Sequence, residues 1–266
     1  MKLIFLLAAG ISLAHAAFAQ ELVTIQTRPG VKQSFFIAHM GGRKPEAAAL
    51  LLIGGGGNIN LRNEGGQIKF GQGNFLPRSR REFIRNGILP VILDNPSDQK
   101  DAMSDAFRES REHYSDIRAV RGELERRYPG LPVFLVGTSR STLSVAYLAR
   151  WLQTDIQGAV LTSSLFYSGS GQRARPVLAG FNWSQIKVPL LFVHHEDDGC
   201  GATPYREATR VTRYPLVALI TVQGGKPPES GPCDPLSNHG FFGREAETVD
   251  AIAAWMRGKP FPRNIP

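Results

Sequence analysis

An α/β fold on one mostly parallel sheet of eight strands is what the sequence predicts, and three observations predict it. Apolar runs of strand length recur at Leu22 to Thr27, Gln33 to His39, Ala47 to Ile53, Ile88 to Leu93, Val133 to Val136, Gly158 to Thr162, Pro189 to Val193 and Leu216 to Val222. After Ile53 they alternate with segments of helical apolar spacing, most clearly Ser104 to Arg127, and strands alternating with helices pair in parallel. A chain of 266 residues, less a leader, suits one large core rather than two domains, and no repeat, low-complexity tract or long linker divides it.

The first element is a leader. Lys2 supplies a basic start, Leu3 to Leu13 an apolar stretch, and Ala17-Phe-Ala19 a small-x-small cleavage signal before Gln20. Residues 1–19 therefore read as a signal peptide and 20–266 as the single folded domain. The apolar stretch is too short to span a bilayer comfortably and no other run is long enough, so no stable membrane anchor is expected. The expected location is periplasmic or secreted. In such an oxidising compartment the two cysteines, Cys200 and Cys233, are expected to pair as a disulfide.

The strand Leu50-Leu-Leu-Ile53 breaks into Gly54-Gly-Gly-Gly-Asn58, a run whose backbone N–H groups no side chain obstructs. A nucleotide-phosphate loop would need a Gly-Lys-Ser/Thr ending or a Gly-x-Gly-x-x-Gly context, which this segment lacks. Further on, Pro132-Val-Phe-Leu-Val-Gly-Thr-Ser-Arg-Ser141 halts at Gly137 and delivers Ser139 before the helical stretch Leu143 to Trp151. A serine hydroxyl is a weak nucleophile at neutral pH, so one placed on a sharp turn, within reach of a base and of backbone donors, has the setting that acyl transfer needs. Two later loops complete the set. His194-His-Glu-Asp-Asp198 follows the strand ending at Val193, and Ser237-Asn-His-Gly240 follows the strand ending at Val222, before the helical stretch Arg244 to Met256.

The order Ser139, an acid at Asp198, then His239, each just beyond a strand, resembles the α/β-hydrolase family over nearly the whole mature chain. Within it the chain looks most like exported serine hydrolases of the dienelactone-hydrolase and esterase kind, without a large cap. The resemblance implies a Ser139-His239-Asp198 triad with no cofactor. It also implies an oxyanion hole from the backbone of Arg140 and of Gly55 or Gly56, with Gly57 and Asn58 as alternatives. Two departures stand out: Ser141 replaces the glycine that usually closes Gly-x-Ser-x-Gly, and Gly54 stands where the family's His-Gly-Gly-Gly form has histidine. Asp197 is the alternative acid. His194 and His195 are adjacent on a strand and point to opposite faces, so they are expected to serve in the core or beside the acid, with no metal.

The implied reaction is hydrolysis of a carboxylic ester through an acyl-enzyme, with amide or peptide cleavage by the same residues as one alternative and a noncatalytic binding protein as another. The walls of the cleft are expected from the long loop Asn58 to Arg81 and the short one Phe166 to Arg175, with Phe70, Phe75, Phe166 and Tyr167 serving either as apolar surface there or as packing. Formal charge is +8, or +7 once Lys2 leaves with the leader. Arginines 62, 78, 80, 81, 140, 173 and 175 gather in the loops near the expected site, which reads first as solvated surface charge, with steering of an anionic small-molecule ester or an acidic surface as the alternatives. Nucleic acid is not an expected partner, because no recognition motif or basic stretch interleaved with stacking aromatics occurs.

Overall fold

A computed structural model describes residues 20–38, 40–169 and 174–266. The signal peptide read over residues 1–19, His39 at the end of the second expected strand, and Arg173 lie outside the described residues. All eight expected strands form: β1 Gln20–Arg28, β2 Val31–Ala38, β3 Ala47–Leu52, β4 Ile88–Leu93, β5 Val133–Thr138, β6 Gly158–Thr162, β7 Leu190–His195 and β8 Val217–Val222. A two-residue ninth, β9 Asn264–Ile265, corrects the count, since two residues are too few to carry a periodic signal.

The sheet runs β1-β2-β4-β3-β5-β6-β7-β8-β9. β1, β2 and β4 pair antiparallel, and every pair from β4 to β9 is parallel. Every residue of β3, β4, β5 and β6 is buried, as a parallel sheet covered on both faces requires. The helices are α1 Phe75–Arg78, α2 Arg80–Arg85, α3 Asp105–Arg108, α4 Arg111–Arg127, α5 Ser141–Leu152, α6 Tyr205–Val211 and α7 Glu245–Met256. The single helix expected over Ser104 to Arg127 is thus two, because Ser110 turns extended and its hydroxyl caps α4 by accepting from His113 N. Between β6 and β7 the described chain carries only a two-stranded hairpin, Tyr167–Ser168 with Arg175–Pro176, and two short 3-10 turns, with no separate cap domain among the described residues.

The strand after β3 adds on one side of it and β5 on the other, so strand order reverses at β3. Open α/β sheets bind ligands beyond the strands' carboxyl ends at such a reversal. The glycine run follows β3 and Ser139 follows β5, so topology alone brings both to that crevice.

Two imidazoles are sealed into this core. His113 on α4 and His194 on β7 are buried, and burial is the main cause that pushes each down to about 3 from 6.5, with Arg108 and Arg28 adding to it at His113. For His194 the neighbouring Asp198 carboxylate opposes that shift. Between those two values the unfolded chain binds protons that the fold refuses. Stability is therefore full above the unfolded value near pH 6.5 and is lost as pH falls toward 3, by about 1.4 kcal/mol per pH unit for each group. Urea denaturation between pH 7 and 4 is expected to show this loss, with a shallower slope in His113→Phe. An identical slope in that variant would contradict the assignment.

Candidate active site

Only Ser139 and Arg140 separate β5 from α5. The turn closes in so few residues because Ser139 takes φ 53°, a left-handed conformation that costs a residue with a β-carbon about 1–3 kcal/mol. Neighbours hold it there. Ser139 N donates to Thr162 O on β6 at 2.9 Å, while Thr142 N and its hydroxyl donate to Ser139 O at 3.0 and 2.6 Å. Ser141, the departure from the usual glycine, is fully buried, and its hydroxyl accepts from Thr138 N at 2.9 Å and donates toward Leu52 O at 2.7 Å. The serine therefore ties the elbow to β3 instead of merely leaving room. Gly137 does leave room: a β-carbon there would stand 2.5 Å from Val145 Cγ2.

His239 sits in a single turn of 3-10 helix after β8, its Nδ1 3.0 Å from Asp198 Oδ2 in the loop after β7. The Asp198 side chain is fully buried. Its Oδ1 accepts from Cys200 N at 3.0 Å and its Oδ2 from the Thr203 hydroxyl at 2.8 Å, so both oxygens are held by donors. Asp197, the alternative acid, is exposed and meets this loop through its backbone, where its carbonyl accepts from Asn238 Nδ2. His239 Nε2 is buried and without a partner among the described residues, so no hydrogen bond joins it to Ser139, although both line one cavity. His194 Nε2 accepts from Ser164 N, and the two nitrogens of His195 engage Gly224 O and Asp197 N, so both histidines support the loops around the acid. Among the described residues no group of three or more His, Cys, Asp or Glu is placed to hold a metal ion.

The glycine loop has its peptides turned by their carbonyls. Gly57 N donates to Gly54 O at 3.1 Å, and Arg108 Nη2 donates to Gly55 O at 2.9 Å. Because a trans peptide aims its N–H opposite its C=O, the Gly55 N–H is directed away from the tied carbonyl of Gly54. The same logic orients the Arg140 N–H, since Ser139 O is held by Thr142. Among the described residues neither N–H donates to a backbone carbonyl. Gly55 lines the cavity; Gly56 does not, its carbonyl instead accepting from Met103 N and Asn95 Nδ2. Arg108 is completely buried, and burial lowers its guanidinium to about 10.

The cavity holding these groups measures about 310 Å³, within the range for a small ligand. Its apolar wall is Ile53, Ile59 and Phe75, its polar wall Asn58, Asn74 and Asp234. Of the four candidate aromatics, only Phe75 contributes. Phe70 packs on Phe36, Phe166 on Phe192, and the Tyr167 hydroxyl donates to Glu207. None of the described arginines lines the cavity either. Arg62, Arg78 and Arg140 pair with Glu64, Glu245 and Asp105, and Arg80 lies across the Phe70 ring. Among the described residues no arginine or lysine lines the cavity to receive an anionic substrate.

Three supporting roles escaped the sequence analysis. Thr203 steadies Asp198, as above. Ser163, itself at φ 44°, donates its hydroxyl to His239 O at 2.7 Å. Arg78 donates to Gly73 O at 2.5 Å, Pro235 O at 3.1 Å and Gly240 O at 2.9 Å, joining the wall that carries Asn74 to the loop that carries His239. Gly240 must be glycine, since a β-carbon would stand 1.9 Å from Pro235 O.

The expected disulfide is present, Cys200 bonded to Cys233 across 33 residues of chain. It joins the Asp198 loop to the loop before His239. On a loop-entropy basis, opening it costs about 3–4 kcal/mol. Reductant is therefore expected to lower the melting temperature by several degrees in the wild-type protein and to leave a C200S/C233S variant unmoved, as calorimetry would read. A reductant effect of equal size in that variant would place it elsewhere.

The chain matches no family model and no curated protein. Solved structures do match its fold. Est1E from Butyrivibrio proteoclasticus superposes with a TM-score of 0.57 at 12% identity, covering 88% of this chain and 97% of its own. The same protein with ferulic acid bound gives 0.61 at 13% identity, covering 89% and 98%. A serine hydrolase without a lid from Xanthomonas campestris gives 0.55 at 14% identity, covering 91% and 95%. A sheet of this order, parallel from β4 onward, with the turn of Ser139 at its reversal point, is the α/β-hydrolase fold.

Proposed function

We propose that the protein is an exported serine hydrolase that cleaves a carboxylic ester through Ser139, His239 and Asp198. One observation carries the proposal: Ser139, held at a left-handed turn, opens into the same small cavity as His239, whose far nitrogen is hydrogen-bonded to a buried carboxylate. Residues 1–19 act as the signal peptide and residues 20–266 as the hydrolase domain. The disulfide supports export, and no helix among the described residues is long and apolar enough to cross a membrane. The ferulic acid held by the Butyrivibrio protein supports a small-molecule substrate.

The reaction runs in two halves. As the ester enters, the Ser139 hydroxyl swings to His239 Nε2, closing a hydrogen bond of the kind that often tightens only with substrate in place. Its proton passes to Nε2 while Oγ bonds to the carbonyl carbon. Asp198 accepts the Nδ1–H and stabilises the imidazolium. The N–H groups of Gly55 and Arg140 receive the oxyanion, each donor worth about 2.7–4 kcal/mol in activation free energy. Collapse expels the alkoxide, which takes the proton from Nε2. Water then attacks the acyl carbon with His239 as base, releasing the acid and restoring Ser139.

A fluorophosphonate is expected to label Ser139 in the native protein and not in Ser139→Ala or His239→Ala, and Ser139→Ala should lower kcat on a short-chain ester by about 10⁴-fold or more. Labelling that survives His239→Ala, or none in the native protein, would favour a binding protein on this fold. Faster turnover of a matched amide than of its ester would favour a peptidase.

Arg78 generates a separate expectation. Its Nη2 holds the His239 loop through two carbonyls while Nη1 and Nε engage Gly73 O and Glu245, a span that the single nitrogen of lysine cannot cover, so R78A and R78K should each lower kcat about 10- to 100-fold with KM less affected. Wild-type kcat in R78A would remove that role.

A further inference from the structure

We infer that Asn74 is a specificity-determining residue that donates a hydrogen bond to an oxygen carried by the substrate beside its scissile ester, so that the enzyme prefers esters with such an acceptor. The inference rests on the proposed hydrolase reading of the site. Asn74 stands at the N-terminus of α1, and its Oδ1 caps that helix by accepting from Leu76 N. That bond decides which end of the amide faces where. With the oxygen turned into the helix, Nδ2 is the end presented to the cavity, which Asn74 lines together with Ser139 and His239.

The distance to the chemistry is short. A methyl-sized point beside Gly54 would lie 3.3 Å from Asn74 Nδ2 and 3.2 Å from Ser139 Cβ, so the amide and the nucleophile flank one small space. Gly54 keeps that space open, because a side chain there would also press on Thr138 O at 2.9 Å.

The other polar groups on this wall are already engaged. Asn58, the second amide of the cavity, donates to Lys100 O and accepts from Asn60 N, and Asp234 Oδ2 accepts from Gly231 N. Among the described residues Asn74 Nδ2 donates to nothing. A partly desolvated amide next to the reacting carbon favours a ligand that supplies an acceptor, because an analogue without one leaves the donor unpaired. Position is enforced from behind as well, since Arg78 donates both to Gly73 O, the residue before Asn74, and to the carbonyls of the His239 loop.

Two esters of equal size test it, for example a short acyl ester and its hydroxy- or oxo-substituted analogue, with a second pair carrying the oxygen in the alcohol part. Wild-type protein is expected to favour the acceptor-bearing member of one pair in kcat/KM. Asn74→Ser retains a helix-capping oxygen and lacks the amide, and should reduce that preference by roughly 3- to 10-fold. Asn74→Asp, which also keeps the cap, should reduce it likewise.

A preference ratio unchanged in both variants would overturn the inference, and so would an equal loss on every ester, which would mark Asn74 as an oxyanion donor or a structural cap. Fluorophosphonate labelling of wild-type Ser139 separates the failures. Labelled protein with an unmoved ratio sinks the role of Asn74 alone, whereas unlabelled wild-type protein sinks the hydrolase reading beneath it.

Discussion

The left-handed backbone at Ser139 is the constraint around which the rest of the site is arranged. A strand that ends in the plane of a covered sheet would ordinarily leave its last side chain among apolar neighbours. Reversing φ over one residue starts α5 at once and lifts the hydroxyl out at the sheet's edge. The conformation is unfavourable by itself, and it persists because β6, Thr142 and the buried hydroxyl of Ser141 bond to both sides of the turn. Thr162 belongs to the sheet and Ser141 is tied to Leu52 on β3, so the strain is borne largely by the most rigid part of the molecule.

The acid and base are placed by a different logic. They sit on loops, which are inherently freer, and the fold limits that freedom with cross-links of several kinds. The disulfide joins the two loops, Arg78 reaches from α1 to three carbonyls, and Ser163 holds the His239 carbonyl from the end of β6. Ser139 on its rigid turn thus shares a cavity with a histidine held by several separate restraints. No hydrogen bond joins the two, and on the proposed reading that bond is left for an incoming ester to close.

Much of this was legible in the residues. The sheet followed from apolar runs, because a strand buried on both faces has to be apolar throughout, and the candidate triad followed from which polar residues come just after those runs. What stayed hidden shares a physical character. Arg78 meets Pro235 and Gly240 from more than a hundred and fifty positions away, and neither local propensity nor spacing records a pairing that only the closed fold creates. Thr203, Ser163 and Asn74 are small polar residues on connections, where a capping or bracing role looks like any solvated loop. The break at Ser110 was readable as a capping serine, yet apolar spacing continues across it and masked the stop. The partners of the arginines stayed hidden for a related reason: formal charge says nothing about which carboxylate each cation will meet.

The short strand β9 bears on how this sheet meets its surroundings. Thr221 N bonds to Arg263 O and Gln223 N to Ile265 O, so the last turn of chain after α7 returns to occupy the outer hydrogen-bonding rim of β8. That rim would otherwise offer a row of free amides and carbonyls to any passing extended peptide, including another molecule of the same kind. The two residues of β9 cover that rim where β8 ends, at Thr221 and Val222, at the same end of the sheet as the Asp198 and His239 loops.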